Sequence, residues 1–94
     1  MPITLADRLK IADEILARRI ADETMILNMK TGVFYRLDPI GTRFFDLLRS
    51  TGDLQEVYRQ LLSEYDVSAA RLEADLLALC EELQATGISV LSKS

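Results

Sequence analysis

The chain has 94 residues, of which 49% are apolar and 28% charged, a composition that suits one folded domain over residues 1–94 with little core to spare. Histidine is absent and Cys80 is the only cysteine, so Ser-His-Asp and Cys-His catalytic groups, an internal disulfide and a Cys/His metal cluster are all excluded, and no cofactor is expected. The net charge of −4 is uneven: residues 1–50 carry eight Lys/Arg against seven Asp/Glu and residues 51–94 three against eight, so the second half repels a phosphate backbone.

Residues 1–14 fit a helix face poorly and a strand only in part. They are left as an N-terminal arm, extended or with one turn of helix. Residues 15–21 read as a first strand containing Arg18, Arg19 and Ile20, with a turn at Asp22-Glu23. Residues 24–29 (TMILNM) are rich in strand formers and make a second strand. Lys30-Thr31-Gly32 is a short loop with glycine at the place where a hairpin needs a positive φ. Residues 33–37 (VFYRL) form a third strand. Alternation puts Val33, Tyr35 and Leu37 on one face, with Phe34 and Arg36 on the other.

Asp38-Pro39 opens a first helix, with aspartate as N-cap and proline in the first turn. Ile40, Phe44, Leu47 and Leu48 recur at helical spacing, and Gly52 ends the helix. Asp53 and Glu56 have capping-box spacing ahead of a second helix striped by Leu54, Val57, Tyr58, Leu61, Leu62 and Tyr65. Ser68 caps a third helix whose apolar face carries Leu72, Leu76, Leu79, Cys80 and Leu83. Gly87 stops it, and residues 88–91 can pack as an extended end. Three strands followed by three helices predict an α+β, winged-helix-like arrangement in which helices cover one sheet face. No apolar run nears the length of a membrane span, and MPITLADRLK has no stretch of signal-peptide type. A cytoplasmic location with no membrane partner is the expectation.

The stretch DETMILNMKTGVFYRLDPIGTRFFDLL, residues 22–48, resembles the signature of PqqD-like proteins. The pieces that follow agree with it: Asp53-Leu54-Gln55-Glu56-Val57, Tyr65-Asp66-Val67 and LQATGI over residues 83–88. The resemblance runs over about residues 15–91. It implies three antiparallel strands, three helices and a peptide-recognition role in the biosynthesis of ribosomally made, modified peptides. The leader part of a precursor peptide would add as a strand to the third strand and lie in a groove against the third helix. The domain would then hand the precursor to a modifying enzyme, such as a radical enzyme, a peptide cyclase or a protease. Members that serve pyrroloquinoline quinone synthesis carry a Pro-Glu-Gly type turn. The turn here is Met29-Lys30-Thr31-Gly32, which points to another class of modified peptide.

On this reading the peptide-binding residues are Val33, Phe34, Tyr35, Arg36 and Leu37 on the strand, with Asp75, Leu76, Leu79 and Leu83 on the third helix. An open edge strand is by itself an ordinary feature, protected by its shortness and charge. It is the resemblance that marks this one as a binding edge. Arg18, Arg19 and Arg36 could meet acidic leader residues or simply be solvated. Cys80 reads as a small buried hydrophobe. Two other classes share this element order. Winged-helix DNA binding is opposed by a third helix with one Arg and four acidic residues (Glu73, Asp75, Glu81, Glu82), so no nucleic acid partner is expected. A structural module that forms a homodimer through exposed edges is also compatible with the pattern. An enzyme is not expected, because no catalytic constellation accompanies the carboxylates.

Overall fold

The computed structural model describes residues 3–92. The first two residues of the N-terminal arm and the last two of the C-terminal tail lie outside them. Five strands and three helices follow in the order β1 (Arg8–Ile11), β2 (Ile15–Ile20), β3 (Glu23–Asn28), β4 (Phe34–Leu37), α1 (Pro39–Thr51), α2 (Leu54–Glu64), α3 (Ala69–Ala85) and β5 (Ser89–Ser92). The three expected strands form one antiparallel sheet in the order β2-β3-β4, and the three expected helices follow it. The arm and the tail are a second sheet: β1 pairs with β5, antiparallel, with Leu9 opposite Leu91. This two-stranded sheet is an addition to the α+β, winged-helix-like arrangement.

Local signals explain most element boundaries. Asp38 accepts a 2.7 Å hydrogen bond from the Gly41 amide, and Pro39 occupies the first turn of α1. Gly52 closes that helix in the left-handed region, its amide donating to Leu48 O. Asp53 caps α2 by accepting from the Gln55 and Glu56 amides. The capping box is only half formed, because the Glu56 carboxylate pairs with Arg59 while Thr51 Oγ1 accepts from the Asp53 amide. Ser68 caps α3 through the Arg71 amide.

The turns differ from expectation in two places. The β2–β3 turn is Ala21-Asp22, not Asp22-Glu23, since Glu23 already pairs with Ile20. Ala21 has φ +57, an uncommon conformation for a residue with a Cβ. The β3–β4 connection places four residues, 29–32, between Asn28 and Val33, and is closed by the Asn28 amide on Val33 O at 2.9 Å. Buried Asn28 shapes it: its side-chain oxygen accepts from the Lys30 and Thr31 amides, and its amide group reaches Thr86 O at the end of α3. Gly32 stands last in the loop at φ +78.

The core lies between the inner face of the sheet and the helices. Ile26 and Leu37 come from the sheet, Phe44, Phe45 and Leu48 from α1, and Leu76, Cys80 and Leu83 from α3. Phe44 and Phe45 are at most 1% exposed, and burial of each is worth roughly 1.5–3 kcal/mol as an upper estimate. Thr24 donates to Thr42 at 2.9 Å inside this core, joining β3 to α1 with no buried hydroxyl left unpaired at that contact. Among the described residues, no helix is long and apolar enough to cross a membrane.

Candidate functional site

The sheet ends on β4, and among the described residues the side of β4 away from β3 has no strand neighbour. The phase of the ladder determines what this edge offers. Because the Asn28 amide donates to the carbonyl of Val33 directly opposite it, Ile26–Tyr35 and Thr24–Leu37 are the hydrogen-bonded pairs that follow in register. Tyr35 and Leu37 therefore turn their backbone groups inward to β3. Phe34 and Arg36 turn theirs outward, so two N–H donors and two C=O acceptors lie along the free edge.

Beside this edge is a cleft of about 470 Å³ whose opposite wall is α3. Tyr35, Arg36 and Leu37 line it from β4, and Leu72, Asp75, Leu76 and Leu79 from α3. Its floor includes Phe44, and Ile40 and Val67 stand at its mouth, 44% and 42% exposed. Arg71 and Asp75 supply charge at its rim. The Tyr35 phenol donates to Glu82 Oε2 at 2.8 Å, linking the two walls. Burial, and then the Glu82 carboxylate, push the Tyr35 phenol up to about 12.

Of the residues expected from sequence, six border this cleft: Tyr35, Arg36, Leu37, Asp75, Leu76 and Leu79. Leu83 does not. It is fully buried, because three residues on from Cys80 it continues the core-facing line of α3. Val33 and Phe34 belong to the edge by their backbone, while their side chains are 39% and 62% exposed and lie outside the cleft. Ile40 shares the helical spacing of Phe44, Leu47 and Leu48, yet it lines the cleft. Its place in the first turn, before the helix meets the core, was the available signal. Glu82 had no signal, since only the tertiary fold brings it to Tyr35.

Two of the cationic residues singled out from the sequence are already engaged: Arg19 pairs with Asp46 on α1, and Arg36, although it borders the cleft, pairs with Glu23 on β3. Cys80 is fully buried, and burial, reinforced by the Glu81 charge, pushes its thiol up to about 12. A second cleft of about 550 Å³ lies between β1, β2 and the end of α1. Its Arg8 is already engaged, donating to Thr51 O at 2.9 Å and pairing with Asp53 at 3.5 Å.

A free, hydrogen-bonding strand edge set against an apolar cleft defines a small α+β domain able to accept an extended chain. The family model for coenzyme PQQ synthesis protein D (PqqD) matches residues 23–88, and the chain belongs to the PqqD family. The fold is shared with TbiB1, solved in complex with the TbiA(beta) leader peptide: TM-score 0.81 and 28% identity, covering 90% of this chain and 96% of that one. It is shared too with a lasso peptide synthetase B1 complexed with a leader peptide: TM-score 0.80 and 22% identity, over 88% of this chain and 98% of the other. No curated protein matches the chain significantly.

Proposed function

We propose that this chain binds the leader segment of a ribosomally made precursor peptide as a strand added to β4, and presents it to a modifying enzyme without catalysing a reaction itself. The observation that carries this reading is the pairing of two outward backbone units, Phe34 and Arg36, with an apolar cleft on the inner side of the same strand. Family membership and the likeness to TbiB1, which was solved holding a leader peptide, support it.

The energetics divide between the two parts. Four backbone hydrogen bonds would each contribute about 0.5–1.5 kcal/mol net, whatever the leader's sequence. One apolar leader side chain entering among Leu37, Leu76 and Leu79 adds roughly 1.5–3 kcal/mol and supplies the choice between peptides. A four-residue edge spans about 13 Å, so about four leader residues are in register with it. Arg71 and Asp75, one turn apart on α3 and paired with each other at 3.9 Å, place one charge of each sign at the rim of the cleft.

The test is an NMR titration with the leader of the precursor peptide encoded beside this chain. Amide shifts should appear together at Phe34 and Arg36 and along the cleft side of α3. Shifts confined to β2 or α2 would overturn the placement.

A further inference from the structure

The cleft uses the inner, helix-facing side of the sheet and one edge. Apart from Arg36 at the edge, the outer face is untouched by it. Register places Leu16, Leu27 and Phe34 in one row across that face, and Arg18, Met25 and Arg36 in the next. Ile20 and Glu23 complete it at the tight Ala21-Asp22 turn. Antiparallel sheets with one solvated face are normally polar on that side. Here five of the eight outward positions, Leu16, Ile20, Met25, Leu27 and Phe34, are apolar. Leu16 and Ile20 on β2 are 51% and 58% exposed. Phe34 on β4 is 62% exposed, and Met25 and Leu27 between them are half-buried, so apolar side chains reach solvent on both sides of this face, as at an interaction surface.

Charge indicates the occupant. Arg36 is already paired with Glu23, but Arg18 has no ion-pair partner among the described residues. A second copy seated face to face about a two-fold axis at Met25 would set Arg18 against Arg18 or Arg36 of its mate, like charge on like. A partner with a carboxylate at that point meets no such repulsion. We propose that the outer face of the β2-β3-β4 sheet docks a second protein whose surface is apolar at its centre and acidic opposite Arg18. Resting on the function proposed above, that protein is the modifying enzyme. Strand β4 then serves both contacts at once, its edge holding the leader and its outer side chains facing the enzyme, so the two do not compete.

The experiment uses the full chain, the peptide-modifying enzyme encoded beside it and the matching synthetic leader, with each interaction titrated separately. Arg18→Glu and Ile20→Asp lie on β2, at the far edge from the cleft, and circular dichroism checks their folding. Each should weaken enzyme binding about tenfold or more while leaving leader affinity within about twofold. Wild-type binding should also weaken with salt. Unchanged enzyme affinity in both variants would overturn the proposal, as would no enzyme binding by the wild type up to about 100 µM. A wild-type dimer in sedimentation that Ile20→Asp dissolves would assign the face to a second copy instead. The leader titration is the separate arm: leader binding lost with enzyme binding kept would sink the cleft reading alone.

Discussion

Tyr35 donates its phenolic hydrogen to Glu82 Oε2 at 2.8 Å, tying the edge strand β4 to the end of α3 across the candidate cleft. The bond requires a neutral phenol beside a carboxylate. In the folded chain the phenol is held up to about 12, against an ordinary value of 10.0. A raised pKa of this kind contributes stability that is complete below about pH 10 and is lost as pH rises through about 12. Chemical denaturation of wild type and Tyr35→Phe, compared from pH 9 upward, should show wild type losing its advantage over that window. A difference that does not vary with pH would show that the phenol is not held neutral by Glu82 and burial.

The phase of the β4 ladder predicts that proline scanning will alternate. At Tyr35, proline removes an amide that is paired with β3, so Tyr35→Pro should destabilise the fold by about 3 kcal/mol or unfold it. At Phe34, the amide points outward, so Phe34→Pro should keep the fold to within about 1 kcal/mol and weaken leader binding. Thermal melts and calorimetric titration of the two variants check this. The reverse order of stabilities would mean that the ladder has the opposite phase.

Cys80 is fully buried in α3 and its thiol is pushed up to about 12. At pH 8 almost no thiolate is present, and no path leads a reagent to it. Native protein should react with a disulfide reagent only at the rate of global or local opening, and at once in denaturant. Rapid labelling of the native state would show that α3 opens from the core far more readily than its packing implies.

The β3–β4 loop depends on Gly32 at φ +78, and a Cβ built there meets no atom within 4 Å. The cost of a side chain is therefore backbone strain alone. Gly32→Val should lose about 1 kcal/mol or more, because a branched Cβ suits a positive φ least. Gly32→Asn should lose clearly less, since asparagine tolerates that region. Equal melting temperatures for all three proteins would show that the loop does not need the left-handed conformation.

What the sequence made legible was local. Asp38-Pro39, Gly52, Asp53 and Ser68 each act within a few residues, so each helix boundary could be read from its own neighbourhood. The alternation of VFYRL placed Tyr35 and Leu37 on the inner face for the same reason. Strands β1 and β5 escaped because each is four residues long with a single buried position, and their partners are about eighty residues apart in the chain. Only the completed fold brings Leu9 opposite Leu91. The cleft was half legible. Its strand wall followed from the resemblance, whereas Glu82 on α3 and Val67 in the segment before it join the cleft only through tertiary packing, which periodicity does not encode. Leu83 was assigned to the groove because a stripe of leucines does not reveal where core stops and cleft begins.

That division within α3 carries the last prediction. Leu76 is 4% exposed and lines both core and cleft, whereas Leu79 is half-buried and stands on the cleft wall. An arginine at position 76 must put a charge into the core or drag the helix outward, so Leu76→Arg should unfold the chain or cost several kcal/mol, about 3 or more. Leu79→Arg can send its guanidinium out of the cleft along an apolar stem, so folding should survive with a loss of about 1 kcal/mol. In that folded variant the arginine stem fills the space meant for a leader side chain. Its affinity for the leader should fall by about tenfold to a hundredfold, the loss expected when one buried apolar contact is removed. Circular dichroism and calorimetric titration of Leu79→Arg decide the matter, with Leu79→Ala as a milder companion that removes the contact without blocking the cleft. Full leader affinity in folded Leu79→Arg would place the peptide elsewhere on the molecule, and the free edge of β4 would then be an ordinary, unoccupied edge.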